Sequence, residues 1–307
     1  MRPSREGTFR SAIGMLKNRL NRKLLCAGLV ILLCPVLSGL LLDRLFPLDL
    51  RRIQAPERYA VVVTARDGSP LRSFADSKGV WRYRVELEDI SPLYLEALLS
   101  YEDRWFYHHP GVNPVSLLRA LWQCLLAGNV VSGGSTLTMQ VARLLGTDSS
   151  TPFGKLRQIL RALQLEWHLS KTDILRLYCN LAPFGGPVEG VQAASYAYFG
   201  RPAATLTRAQ AALLAVLPQA PSRYRPDRHP HRARQARDKV LARLARFQVW
   251  SEADVRDARL ESVIPVFNHH PILAPLLCRR LLRDYPGHAV ILRDPDEAIV
   301  GVEPNSI

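Results

Sequence analysis

The sequence predicts a mainly α-helical domain with a small β element at its entrance, preceded by one transmembrane helix. Three observations carry this. An uncharged apolar run lies near the N-terminus, strand-type composition is confined to residues 59–85, and helical periodicity then continues from Ser91 to about residue 258. Apolar residues make up 48% of the 307, so a sizeable core can be buried.

The apolar run is Leu24 to Leu42, nineteen residues without a charge. At ~1.5 Å per residue it crosses a hydrocarbon core of about 30 Å. Residues 1–23 form a basic tail, with seven Lys and Arg against Glu6 alone. The positive-inside rule keeps such a tail in the cytoplasm, which puts everything after residue 43 outside. The following Asp43-Arg44-Leu45-Phe46-Pro47 is no small-residue cleavage site, so the run reads as a signal anchor. The formal net charge is +14. Outside the tail that charge is spread thinly, with no run dense enough for a nucleic-acid arm, so the anionic partner is a membrane surface or a phosphorylated substrate.

Beyond the anchor, Tyr59 to Thr64 is rich in strand formers, Asp67-Gly68 is a turn signal and Leu71 to Phe74 returns, which predicts a hairpin. Val80 to Val85 suggests a third short strand. Helices follow over Leu93–Glu102, Ser116–Leu126, Leu137–Leu145 and Phe153–Leu169. Ser170-Lys171-Thr172-Asp173 is a capping box that opens another helix through Cys179. Further helices fall near 187–199, 207–217, 232–247 and 251–258. After Pro265 the pattern weakens, with strand character over Val290–Val302. The expected organisation is therefore a tail (1–23), an anchor (24–42), a helical domain (58–250), and a linker or the start of a further domain (265–307).

Cys26, Cys34, Cys124, Cys179 and Cys278 each sit in an apolar pattern and read as small buried hydrophobes. The histidine pairs 229/231 and 269/270 have no cysteine or carboxylate at ligand spacing, so no metal site is read there.

Four constellations stand out. Glu102 to Gly111 (Glu-Asp-Arg-Trp-Phe-Tyr-His-His-Pro-Gly) places an acid after an apolar helix and beside aromatics. Desolvation there raises a carboxyl pKa toward useful acid/base values. A helix-terminal ion pair of Glu102 or Asp103 with Arg104 fits the same residues. Ser132 to Gln140 (Ser-Gly-Gly-Ser-Thr-Leu-Thr-Met-Gln) offers close backbone approach at Gly133 and Gly134. Ser135 or Thr136 can cap the next helix, whose positive end suits a phosphate, although an ordinary helix start looks the same. Lys155, Arg157 and Arg143 form a cationic group that fits either a pyrophosphate clamp or a solvated basic face. Leu175 to Asn180 followed by Phe184-Gly185-Gly186 reads as a helix and its glycine stop.

Taken together and in this order, these segments resemble glycosyltransferase family 51, the peptidoglycan glycosyltransferases of class A penicillin-binding proteins. Residues 102–111 match its motif Glu-Asp-x-x-Phe-x-x-His-x-Gly, residues 133–140 match Gly-Gly-Ser-Thr-x-Thr-x-Gln, and Ser170 to Asn180 matches Ser-Lys-x-x-Ile-Leu-x-x-Tyr-x-Asn. Arg161–Lys171 and Leu217–Arg223 look most like the family's C-type members. The resemblance implies a lysozyme-like fold with a jaw subdomain near the membrane. It implies an inverting enzyme that polymerises lipid II into glycan strands and releases undecaprenyl pyrophosphate, with Glu102 as general base. Asp103, Phe106, His109, Gly134, Ser135, Thr136, Thr138, Gln140, Arg143, Lys155, Arg157 and Gln158 would form the substrate site. A divalent cation, magnesium or manganese, is optional in this reading. The implied partners are lipid II, the growing strand, the inner membrane and other cell-wall synthesis proteins.

One departure stands out. The family's Arg-Lys-x-x-Glu motif is here Gly154-Lys155-Leu156-Arg157-Gln158, so its acid is a glutamine. A catalytically weak lipid II-binding scaffold is the alternative this motivates, and a lytic glycan-cleaving enzyme is a second. No Ser-x-x-Lys tetrapeptide occurs, so no transpeptidase activity is expected of this chain.

Overall fold

The computed structural model describes residues 39–40, 42–49, 59–64, 70–76, 78–127, 134–146, 151–263, 275–284, 290–294 and 297–300. The chain divides into residues 1–49 and 50–307. In the first unit, residues 39–40 and 42–45 are helical, and Phe46 N donates to Leu42 O at 2.8 Å. The expected tail, and the anchor up to residue 38, lie outside the described residues. No helix among the described residues is long and apolar enough to cross a membrane.

The second unit is mainly helical with two small sheets. Strands β1 (Val61–Thr64) and β2 (Pro70–Phe74) form the expected hairpin, with Val61 opposite Phe74. The Asp67-Gly68 turn itself lies outside the described residues. The third strand is shorter than expected and joins a different sheet. β3 (Trp81–Arg82) pairs in parallel with β5 (Val188–Glu189), which pairs with β4 (Pro183–Gly185). An Arg82–Glu189 ion pair closes that seam.

The helical set is α1 (Pro92–Glu102), α2 (Pro114–Ala127), α3 (Leu137–Leu144), α4 (Pro152–His168), α5 (Lys171–Leu181), α6 (Val191–Phe199), α7 (Arg208–Val216), α8 (Pro221–Tyr224), α9 (Pro230–Arg246), α10 (Glu252–Leu260) and α11 (Pro275–Asp284). The centre is α7, in which every residue from Ala211 to Val216 is buried. A helix apolar all round must be covered all round, and α1, α9 and α10 cover it. Its alanines remove bulk where those helices cross.

The capping box at α5 is present. Asp173 N donates to Ser170 Oγ at 3.1 Å, and Ser170 N donates back to Asp173 Oδ2 at 3.2 Å. The expected glycine stop is not what ends α5. The helix closes at Ala182, which is extended (φ −60, ψ 137), and Pro183 opens a strand. A residue before proline is pushed out of helical space, so the helix runs two residues past Cys179 and its cap falls three residues before Gly185. The same strand pair shortens the helix expected from residue 187, and α6 starts at Val191. Asn180 then acts as a clamp. Its amide donates to Val85 O at 2.8 Å and its oxygen accepts from Val85 N at 3.0 Å, as a strand partner would.

The C-terminal part holds more than the sequence suggested. Besides β6 (Val290–Asp294) and β7 (Glu297–Val300), it forms α11. β6 runs parallel to β1, with Val63 opposite Val290, so one four-stranded sheet has the order β2-β1-β6-β7. Cys179 and Cys278 are buried and neither is in a disulfide.

Candidate active site

The site forms where α1 ends. Pro92 at the first turn starts this helix. Asp103 ends it by leaving helical space (φ −156, ψ 76), because its carboxylate is claimed elsewhere. Glu102 and Asp103 therefore diverge. Glu102 stays half-exposed, and Asp103 turns inward.

Both oxygens of Glu102 are held by amides. Gln140 Nε2, on α3, donates to Oε2 at 2.7 Å, and Gln219 Nε2, on the turn after α7, donates to Oε1 at 2.8 Å. Burial pushes the Glu102 carboxyl up, while those two hydrogen bonds and the Arg243 guanidinium pull it back. The apolar backing includes Tyr94 and Tyr178, fully buried, whose hydroxyls are pushed up chiefly by burial and further by the nearby Glu102 and Cys179. The expected desolvated acid is thus present. The ion pair with Arg104 is not, since Arg104 stacks on Phe247 instead, 4.3 Å from the ring centroid.

Asp103, Phe106, His109, Thr136 and Thr138 are all buried, and they brace the site from behind. Asp103 Oδ1 lies 2.9 Å from His109 Nε2, and its Oδ2 accepts from Leu137 N at 3.0 Å. The positive end of α3 therefore meets a carboxylate of the chain itself. Thr136 is the cap, accepting from Met139 N at 3.2 Å while donating to Gly111 O. Thr138 donates to Glu166 at 2.6 Å. Lys171 donates to Glu166 and to His109 O, each at 2.7 Å, and lies 4.5 Å from the Phe106 ring centroid. Glu166 is thereby committed to structure.

The cationic side is built around Lys155. Its ammonium donates to Ser135 Oγ at 2.7 Å and to Gln158 Oε1 at 2.8 Å. Ser135 is therefore not the cap. Burial, and then the charge of Arg143, lowers the Lys155 pKa. Gln158 is 2% exposed, and its amide donates to Met139 O at 2.6 Å. It positions Lys155. Arg143 and Arg157 are exposed on α3 and α4, and Gly134 is half-buried. Gly133 lies outside the described residues. Helix α3 joins the two sides, because Gln140 reaches Glu102 while Met139 O holds the amide that orients Lys155.

The donor set does not suit a divalent cation. Such ions take carboxylate oxygens, yet the residue beside Lys155 is an amide, Asp103 is buried and engaged, and both Glu102 oxygens accept from amides. Among the described residues no group of three or more His, Cys, Asp or Glu could hold a metal ion.

Gln219 and Arg243 were not expected in the site. Tyr101 Oη donates to Gln219 Oε1 at 3.5 Å, and Arg243 lies 5.3 Å from the Tyr101 ring centroid. The only signal for Gln219 was its place in the Leu217–Arg223 run.

A family model described as Transglycosylase matches residues 67–245, more than half of the chain. Penicillin-binding protein 1C of Escherichia coli (strain K12) is 58% identical over 240 residues, covering 78% of this chain and 31% of that protein. Penicillin-binding protein 1A of Pseudomonas aeruginosa is 38% identical over 196 residues, covering 64% of this chain and 23% of that protein. Among solved structures, penicillin-binding protein 1A from Haemophilus influenzae aligns with a TM-score of 0.41 at 19% identity, covering 76% of this chain and 27% of that one. That last likeness is too loose to place side chains. The chain spans less than a third of the length of the curated relatives it matches. The matched residues span all three motifs, and the chain belongs to the transglycosylase family, glycosyltransferase family 51.

Proposed function

We propose that this chain is a peptidoglycan glycosyltransferase that polymerises lipid II, anchored in the inner membrane by residues 24–42 with its helical domain in the periplasm. The observation that carries the reading is Glu102, a half-buried carboxylate of raised pKa held by two amides and joined through α3 to the Lys155–Ser135 pair. In this reading Glu102 accepts the proton of the acceptor sugar's 4-hydroxyl as that oxygen attacks the anomeric carbon of the growing chain. The new C–O bond forms as the bond to the pyrophosphate breaks, and its electron pair leaves with undecaprenyl pyrophosphate. Lys155, Ser135 and Arg143 offset the charge on the leaving group. Attack from the face opposite the leaving group inverts the anomeric centre.

A membrane partner is supported by exposed apolar side chains. Val115, Leu118 and Trp122 line one face of α2, while Phe153, Leu156, Leu163 and Trp167 line one face of α4. Exposed large apolar residues in such number mark a surface that meets lipid or protein.

The test is polymerisation of lipid II by the detergent-solubilised full chain. Wild type should give polymer, and Glu102→Gln should lose roughly 100-fold or more, the usual worth of a general base. Undiminished polymer with Glu102→Gln overturns the assignment, and solubilisation of purified sacculi would favour the lytic reading instead. The scaffold reading is favoured by one observation, an amide at the family's acid position. Lipid II binding without turnover, with turnover appearing in Gln158→Glu, would support it.

A further inference from the structure

Next to Glu102, five side chains form a ladder of alternating rings and guanidinium groups. Arg243 lies 5.3 Å from the ring centroid of Tyr101 and 5.5 Å from that of Phe247. Arg104 lies 4.3 Å from Phe247 and 6.0 Å from Trp105. Tyr101 comes from the last turn of α1, Arg104 and Trp105 from the segment after it, Arg243 from α9 and Phe247 from the cap of α9, so tertiary packing has brought them together. Arginine rotamers are normally costly to immobilise, and stacking on rings removes that cost before any ligand arrives.

What the ladder leaves open is the polar edge. Arg104 and Arg243 are exposed, and among the described residues neither pairs with a carboxylate. A guanidinium over a ring keeps its N–H fork in its own plane, where it matches a carboxylate in bidentate fashion. The ladder also lies within electrostatic reach of the chemistry, since the Arg243 charge lowers the Glu102 pKa.

Its position separates it from the leaving-group site. Gln140 ties Glu102 to the α3 side, where Lys155 lies. Gln219 and Tyr101 tie it to the α9 side, where the ladder lies. An anion on the ladder is therefore a different group from the pyrophosphate. In lipid II the remaining anions are the carboxylates of its peptide. We propose that Arg104 and Arg243 bind a carboxylate of the substrate's peptide, so that the site selects glycan units bearing free acids over neutral ones. This rests on the lipid II reading above, because it names a second feature of the same substrate.

The test is binding of a lipid-free disaccharide-peptide to the detergent-solubilised full chain, in its free-acid form and with its carboxylates amidated, by titration calorimetry. For wild type the acid should bind roughly twofold to fivefold more tightly, as exposed charge pairs of good geometry do. In the double variant Arg104→Gln/Arg243→Gln that ratio should fall to near one. Arg104→Lys/Arg243→Lys, which keeps charge but loses the planar fork, should give an intermediate ratio. A wild-type ratio of one, or a ratio untouched by the double variant, overturns the proposal. So does an equal loss of both ligands in the variant, which would mean a merely structural ladder. The readout needs no turnover, so failure of the lipid II assay and failure of this ratio are separate results.

Discussion

At the scale of single residues, Glu102 is governed by opposing effects that can be separated. Burial raises its pKa, and the Gln140 and Gln219 amides lower it by bonding the ionised form. A general base works only when ionised, so activity should climb with pH through this raised pKa. Gln219→Ala removes one donor to the charged form, so the pKa rises further and the acid limb moves to higher pH. Activity should then fall more steeply at acidic than at alkaline pH, which a pH profile of initial polymerisation rates checks. An unmoved limb would show that Gln219 does not act on Glu102. The acid itself was legible in the sequence because it closes the apolar turns of α1, although part of its backing, Tyr178, comes from α5. Gln219 was not legible, being 117 residues away along the chain, where nothing local says which carboxylate its amide will meet.

At the scale of elements, the join between the end of α1 and the start of α3 decides whether the site assembles. Asp103 carries that join, bridging His109 and the Leu137 amide while buried to 6% exposure. Asp103→Ala leaves an unpaired amide and an unpaired histidine nitrogen, and should cost about 3 kcal/mol. Gly111 is the second point of the join. Its φ is +80, and an added Cβ would lie 2.7 Å from Glu166 Cγ and 2.8 Å from Ala162 O. Gly111→Ala meets both strain and backbone, so about 2–3 kcal/mol is expected. Chemical denaturation of the two variants checks both values, and a loss below about 1 kcal/mol in either would remove it from the brace. Cap signals such as Ser170 and Asp173 were readable because they act within four residues. What meets the helix start at Leu137 was not readable for the opposite reason, since Asp103, whose carboxylate accepts from the Leu137 amide, comes from 34 residues earlier.

At the scale of the whole chain, residues 50–307 contain a second small core away from α7. Val63 from β1 packs with Cys278 and Leu281 from α11, flanked by Leu71, Phe74 and Leu277. Each half of this cluster is visible in the sequence as a strand or an apolar spacing. Their union is not visible, because the β1–β6 pairing joins Val63 to Val290 in parallel and no turn fixes such a register. None of the cluster's residues touches Glu102 or Lys155 in the bonds that define the site. The two cores should therefore open separately. Leu281→Ala deletes a side chain that is 5% exposed, and should cost about 2–4 kcal/mol within this sheet. Hydrogen exchange at the β1 and β2 amides should speed up, while the α7 amides keep wild-type protection and lipid II polymerisation continues. If α7 amides exchanged faster in step with β1, the sheet and the helical domain would be one cooperative unit, and the C-terminal strands would be part of what holds Glu102 in place.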